Sequence, residues 1–274
     1  MRKTNSVLLT VPYILWMIAF TLIPLGVVGY YALTDPATGR FSLDNIRELG
    51  MYLPVLGTSV WYSLISAAIC LLLGYPVAYY IAHRSALAQR FLYMLVMLPM
   101  CMSFLLRTLA WVGLLQDTGI INRFLGWIGL GHVTLIRTPG AVILGMVYNY
   151  LPYMILPLYS TIVKIDHRLV EAAQDLGCNG RQVFGRVILP LSMPGILSGV
   201  TMVFVPAVST FYISQKLGGT DTVMIGDVIE RQFKQGSNPN LGAALSLVLM
   251  LLVFVCTGIM NHFGGADEEG GVIA

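Results

Sequence analysis

The residues best suited to do work in this chain lie between 164 and 190, where Asp166, Arg168, Glu171, Arg181 and Arg186 interrupt an otherwise apolar sequence. None of the usual arrangements for covalent chemistry accompanies them. There is no G-x-x-x-x-G-K-[ST] phosphate loop, and Gly218-Gly219-Thr220 lacks the lysine that such a loop needs. There is no H-E-x-x-H pattern, and His83, His132, His167 and His262 are scattered. No G-x-S-x-G elbow is present, so nothing points to a membrane hydrolase, although a serine–histidine arrangement assembled in space is not visible to this test. Cys70, Cys101, Cys178 and Cys256 form no C-x-x-C pair and have no histidine at metal-ligand spacing. They read as small buried hydrophobes, with Cys178 an incidental thiol in the polar segment. No catalytic residue, metal site or cofactor site is therefore expected in this chain. Charged side chains with no reacting partner remain good at forming ion pairs with another surface.

The spacing within 164–190 predicts how those charges are held. Asp166 is an N-cap residue for a short helix running through Ala173, which contains Glu171, Ala172 and Ala173. Two alanines are strong helix formers and small enough for close docking. Gly177 can take the left-handed conformation that ends a helix and turns the chain. Arg181 to Val187 then forms a second short helix, followed by Leu189 and closed by Pro190. The expected product is a helix-turn-helix knuckle.

Everything around the knuckle reads as membrane. Of 274 residues, 57% are hydrophobic and 11% charged, against about 45–50% and about 25% in a soluble domain. Apolar runs at 7–33, 55–82, 91–115, 140–163, 191–213 and 241–260 each reach the ~20 residues that cross a bilayer as a helix. They are continuously apolar rather than alternating, which favours helices over a β-barrel. The fold class is all-α integral membrane with six transmembrane helices. Residues 1–263 read as one such domain, and 264–274 as a disordered, Gly-rich acidic tail. The first run is longer than the apolar core of a cleaved signal and lacks an A-x-A site, so it reads as a retained span. A net charge of +3 carries no sign of nucleic-acid binding.

With both termini cytoplasmic, eight Lys and Arg fall inside and seven outside, Arg107 lying within a span. The near-even count hides a difference in density. The loop between the second and third runs is short and basic, whereas the outer loops 34–54, 116–139 and 214–240 are long and mix acids with bases. Short interfacial helices are expected at 120–130 and 223–233. Arg107 sits about 17 residues along its span, roughly 25 Å from the inner side. There it can snorkel to the outer interface or hold a structural ion pair. Gly195 and Gly199 have small-xxx-small spacing and suit close helix contact, either within the subunit or with another one.

The knuckle resembles the coupling motif of permease subunits of bacterial ATP-binding-cassette importers of the six-helix type, with Val187 where the family pattern has Ile. The resemblance extends over nearly the whole chain. The segments Leu73-Gly74-Tyr75-Pro76-Val77-Ala78-Tyr79-Tyr80, Thr138-Pro139-Gly140-Ala141-Val142, Leu151-Pro152-Tyr153-Met154-Ile155-Leu156-Pro157-Leu158-Tyr159, Leu191-Ser192-Met193-Pro194-Gly195-Ile196 and Phe211-Tyr212-Ile213-Ser214 are similar to the spermidine/putrescine branch. The resemblance implies a type I importer bundle in a bacterial cytoplasmic membrane. It implies a second homologous permease subunit, cytoplasmic ATPase subunits that bring ATP and Mg2+, and an extracellular or periplasmic solute-binding protein. On this view Glu171, Ala172, Ala173, Gly177, Arg181, Leu189 and Pro190 couple the subunit to the ATPase.

A polyamine pathway calls for carboxylates, carbonyls or aromatic faces, since a ring attracts a cation by roughly 0.5–2 kcal/mol. Tyr148, Asn149, Tyr150 and Tyr153 in the fourth run, with Phe211, Tyr212 and Gln215 after the fifth, are the candidates to line or gate it. Tyrosine is also common at bilayer interfaces. Asp117, Asp221, Asp227 and Glu230 in the outer loops could add attraction. Gln215-Lys216 departs from the branch, which has an acid shortly after its Phe-Tyr pair; Lys216 must point away or pair with Asp221. Import of another small solute, an ion-coupled transporter or channel, and a scaffold that transports nothing are the alternative readings.

Overall fold

The computed structural model describes residues 11–35, 39–42, 44–129, 131, 133–220, 222–234 and 238–263. Most of these residues are helical, and the β-pairing among the described residues is an isolated antiparallel bridge between Thr34 and Phe41. The expected tail at 264–274 lies outside the described residues, as does Asp221. Five helical stretches are long and apolar enough to cross a membrane: Val11–Ala32, Leu49–Ala82, Phe104–Trp127, Pro139–Ile162 and Pro239–Met260. A sixth is a bent pair, Gly180–Leu191 with Met193–Val208. In chain order the elements used below are α1 (Val11–Ala32), α2 (Leu53–Ala82), α3 (Ala86–Met97), α4 (Phe104–Leu115), α5 (Ile120–Trp127), α6 (Pro139–Ile162), α7 (His167–Asp175), α8 (Gly180–Leu191), α9 (Met193–Val208), α10 (Tyr212–Leu217), α11 (Ile225–Lys234) and α12 (Pro239–Phe263).

Two expected spans are interrupted. The run at 91–115 is not one helix: α3 tightens into a 3-10 turn at Leu98–Cys101, and Met102 and Ser103 are extended before α4 begins. Pro99 supplies the reason, because it has no N–H to continue the α-helical ladder. The span-like stretch shifts to Phe104–Trp127, which takes in α5, the short helix expected at 120–130. The run at 191–213 likewise stops at Val208 and restarts as α10 at Tyr212. The other short helix, expected at 223–233, is present as α11.

The described residues divide between two compact units, one drawn from Met1–Leu56 and Val228–Leu252, the other from Gly57–Asp227 and Val253–Ala274. In the first, Ala32 and Ala243 with Ala244 form a small buried cluster joined by Val28, Leu49 and Leu247. The backbone carbonyl of Thr34, two residues beyond α1, is satisfied twice: Asn240 Nδ2 donates to it at 2.6 Å and Asn45 Nδ2 at 3.0 Å. Asn45 Nδ2 also lies 3.4 Å from the Ala32 carbonyl at the end of the helix itself.

The second unit holds the main core. Its centre is α6, whose Val142, Met146, Met154 and Leu158 are fully buried. Thr138 caps it, its Oγ1 accepting from the Ala141 N–H at 3.1 Å. Pro152 and Pro157 lie inside α6. Ser160 and Thr161 each return a hydroxyl to the Pro157 carbonyl, at 2.9 and 3.0 Å, local side-chain bonds in the turn that follows the proline. The seam between α6 and α9 is close. A Cβ placed on Gly195 would lie 2.6 Å from Thr161 Oγ1 and 3.0 Å from the Pro157 carbonyl oxygen, and one on Gly199 would lie 2.7 Å from Met154 Sδ. The Gly195–Gly199 spacing therefore serves packing within the subunit. Of the cysteines, Cys70 is fully buried with its thiol 3.7 Å from the Val147 carbonyl, Cys178 and Cys256 are partly exposed, and Cys101 is exposed. The expectation of buried apolar-run thiols holds at Cys70, only in part at Cys256, and fails at Cys101, which lies in the 3-10 turn after α3.

Candidate functional site

The 164–190 segment folds as two short helices whose ends are closed by their own side chains and turns. Asp166 Oδ1 accepts from the Arg168 N–H at 3.0 Å and starts α7. At the other end Gly177 has φ +85°. Its N–H donates to the Gln174 carbonyl at 2.8 Å, and the Cys178 N–H donates to the Ala173 carbonyl at 3.0 Å. That is the paired 6→1 and 5→2 bonding of a glycine-terminated helix. Asn179 then opens α8 with a reciprocal cap: the Gln182 N–H donates to Asn179 Oδ1 at 3.0 Å and the Asn179 N–H to Gln182 Oε1 at 2.9 Å. The Asn-x-x-Gln spacing of that cap stood in the sequence and was missed.

The structure places Glu171, Ala172, Gly177, Arg181, Leu189 and Pro190 at the surface and Ala173 partly covered. Glu171 Oε1 meets His167 Nδ1 one turn away at 3.1 Å, with both side chains mostly solvent-facing. Leu169 is exposed and Leu176 is 86% exposed, an apolar addition that sequence reasoning did not single out. A short, self-capped helix carrying acidic, basic and apolar side chains can bind a complementary groove without reorganising.

Pro190 does not end α8 as expected. The helix continues to Leu191 and turns by 62° into α9. Phe184–Ile188 is wound as a π-helix, the Leu189 N–H reaching back to the Phe184 carbonyl. Pro190 and Pro194 each lack the N–H that would bond four residues back, so the ladder loosens before the elbow and breaks at it. The elbow residue, Ser192, is fully buried.

The pathway candidates separate into two kinds. Asn149 and Tyr150 are buried, 1% and 7% exposed, while Tyr148, Tyr153, Phe211 and Gln215 are exposed and Tyr212 is half-buried. Asn149 Nδ2 donates to the Gly145 carbonyl at 2.8 Å, and its Oδ1 is buried without a hydrogen-bond partner among the described residues. Tyr150 Oη donates to the Pro206 carbonyl at 3.3 Å. The α4 helix meets both sets, with Trp111 edge-on to Tyr148 at 5.4 Å and Phe104 at 6.2 Å from Tyr212. Lys216 stands over the Tyr212 ring, 5.8 Å from its centroid. The partner expected for it, Asp221, lies outside the described residues.

Arg107 corrects a further expectation. It neither snorkels out nor holds an ion pair among the described residues: it is 7% exposed, and its Nε and Nη1 are buried without a hydrogen-bond partner. It follows Phe104 by three residues and precedes Trp111 by four, which puts it on the inward stripe of α4. Of the outer acids, Asp227 is buried, its Oδ2 accepting from the Met224 N–H at 2.9 Å, and Glu230 pairs with Lys234. Asp117 is exposed and lines a cavity of about 440 Å3 with Gln116, Thr134, Ile136, Arg137 and Thr138.

Apolar helices long enough to cross a bilayer, with a self-capped polar projection between two of them, are the architecture of a membrane component. Residues 71–265 match the family described as "Binding-protein-dependent transport system inner membrane component", and the chain belongs to that family. It is a multi-pass permease subunit of the inner membrane rather than an enzyme. Among relatives, it is 38% identical over 247 residues to the "Spermidine/putrescine transport system permease protein PotB" of Escherichia coli K12, covering 87% of this chain and 90% of that one. It is 40% identical over 253 residues to the protein of the same description from Haemophilus influenzae, covering 88% of each. The fold is that of a bacterial ABC transporter involved in import of the acidic polysaccharide alginate, with TM-score 0.81, 20% identity and 96% of each chain covered.

Proposed function

We propose that this subunit forms half of the translocation pathway of an ATP-driven importer for polyamines of the spermidine and putrescine kind. The observation that supports the substrate most is the 38–40% identity to spermidine/putrescine permeases over nearly nine-tenths of the chain. In this reading the α7–α8 projection faces the cytoplasm, as do both termini, and seats in a groove of an ATPase subunit. Glu171, Ala172, Ala173, Gly177, Arg181, Leu189 and Pro190 form or shape that contact. A second permease subunit completes the pathway, and a solute-binding protein delivers the polyamine from outside. ATP and Mg2+ belong to the ATPase. Closure of the ATPase pair moves the projection, and the bundle changes which side it opens to.

The pathway itself would use Tyr148, Asn149, Tyr150, Tyr153, Phe211, Tyr212 and Gln215. Aromatic faces and carbonyl oxygens can hold an ammonium group without fixing it as firmly as a carboxylate would. One observation favours a second reading, import of a different small solute: Lys216 already occupies the neighbourhood of the Tyr212 ring, where it would oppose a polycation.

The test is ATP hydrolysis by the complete importer in proteoliposomes, with its binding protein loaded with spermidine, putrescine or unrelated solutes. Stimulation by a polyamine together with its uptake is the expected result. Stimulation only by another solute would replace the substrate and keep the importer; transport in the absence of any ATPase would remove both.

A further inference from the structure

The elbow between α8 and α9 is tied to α2 at two points. At the first, Ser192 Oγ donates to the Leu189 carbonyl at 2.9 Å. Its single proton is thereby committed, so in the 2.9 Å contact between Ser192 Oγ and Tyr75 Oη the tyrosine is the donor. Both residues are buried, Ser192 completely. At the second, the Phe184 ring lies edge-on to Tyr75 at 5.6 Å and edge-on to Tyr79 at 6.2 Å. Tyr75 and Tyr79 are one turn apart on α2, and Phe184 and Ser192 bracket the π-helical turn and Pro190.

Two attachment points eight residues apart, roughly 12 Å along α8, have a mechanical consequence. A helix joined to the bundle only through a 62° elbow could pivot there, and a push on its far end would be absorbed by the loosened π turn. Pinned at both Phe184 and Ser192, α8 cannot pivot without breaking a buried hydrogen bond and separating three aromatic rings. We propose that the Tyr75–Ser192 hydrogen bond and the seating of Phe184 against Tyr75 and Tyr79 form the joint that transmits displacement of the α7–α8 projection into α2 and the transport bundle. Tyr75, Ser192 and Phe184 are positioning residues: they act through the projection and touch neither nucleotide nor solute. The inference rests on the importer reading above and adds the route by which the motion enters the membrane.

The test uses the whole importer in proteoliposomes and measures ATP hydrolysed per polyamine taken up, alongside basal hydrolysis and subunit stoichiometry. Tyr75→Phe keeps the ring and loses the donor, Ser192→Ala loses the acceptor together with the local bond to the Leu189 carbonyl, and Phe184→Ala loses the second point. Tyr75→Phe and Ser192→Ala are each expected to raise ATP consumed per solute by about threefold to tenfold, the weight of one hydrogen bond in a conformational equilibrium, with assembly intact. The double variant should be no worse than the worse single, because both remove the same bond. Phe184→Ala should raise the ratio further, and Phe184→Leu, which restores most of the volume, should recover part of it. An unchanged ratio in assembled Tyr75→Phe and Ser192→Ala importers, or additive effects in the double variant, would overturn the joint. A wild-type importer with no ATP-dependent uptake would instead overturn the importer reading, so the two failures are distinguishable.

Discussion

The α7–α8 projection and the α6–α9 seam keep their order by opposite means. The projection is exposed along most of its length and is held by local hydrogen bonds: Asp166 at one end, the Gly177 turn in the middle and the Asn179–Gln182 reciprocal cap after it. The seam has no room for anything larger than hydrogen at Gly195 and Gly199 and is held by shape. Local bonding gives a surface that is formed before its partner arrives, which limits the ordering entropy lost on docking. Shape gives a contact that resists any change in volume. Substitutions in the projection should therefore damage transport and spare folding, and substitutions in the seam should do the reverse.

The largest effect is expected from Glu171→Lys. The side chain is exposed and pairs with the likewise exposed His167, so little folding energy is at stake. Reversed charge against a surface complementary to an acid costs several kcal/mol, enough to reduce ATPase binding about a hundredfold or more. Uptake should be lost while the subunit remains inserted at wild-type level, as read by transport assay and membrane immunoblot. Normal uptake would mean that Glu171 does not face the ATPase and would place the docking contact elsewhere.

Gly195→Val should give the converse result. The new methyl groups meet the stiff, β-branched Thr161 and the Pro157 backbone, neither of which can swing aside. Overpacking of this kind costs about 1–3 kcal/mol. A lower melting temperature in detergent and reduced folded yield are expected, and any folded fraction should still bind the ATPase. Full stability with failed ATPase binding would erase the distinction between seam and projection.

Arg107→Leu sharpens the comparison from inside the bundle. Two guanidinium nitrogens are buried without a hydrogen-bond partner among the described residues, and a buried charge without compensation is destabilising. The isolated subunit should become more stable by about 1–2 kcal/mol, read as a higher melting temperature, while uptake by the assembled importer falls. A loss of stability would show that Arg107 is paired after all.

How legible each region was follows from the same contrast. The projection could be read almost entirely, because Asp166, Gly177 and the two alanines act on their immediate neighbours. Even the missed cap at Asn179 was a four-residue pattern. The multi-span membrane reading also survives, as five apolar helices and one bent pair, since apolar length is a local property, although the third span moves to Phe104–Trp127. What could not be read depends on residues far apart in the chain. Arg107 was expected to reach water or an acid, but the burial of a side chain is decided by which helix faces it. The pairing of Tyr75 with Ser192 joins positions 117 apart, and no spacing rule spans that distance. The interruption near Pro99 lay between the two: the proline was visible, but whether a membrane helix bends or breaks at a proline depends on its neighbours.

The smallest effect, and the finest division between the two regions, is expected from Asn179→Ala. The change removes the side-chain oxygen that accepts from the Gln182 N–H and leaves Gln182 Oε1 free to keep accepting from the Asn179 N–H. Loss of such a cap costs about 1 kcal/mol, and the cost here falls on the first turn of α8 alone. Amide hydrogen exchange within 180–184 should quicken about fivefold, that energy expressed as an equilibrium constant, while exchange in α6 and α9 stays unchanged. ATPase binding should weaken by no more than the same factor, because the partner must restore one turn of helix before it can grip. If exchange quickened in α6 as well, the projection would not be a locally organised element, and its order would depend on the bundle.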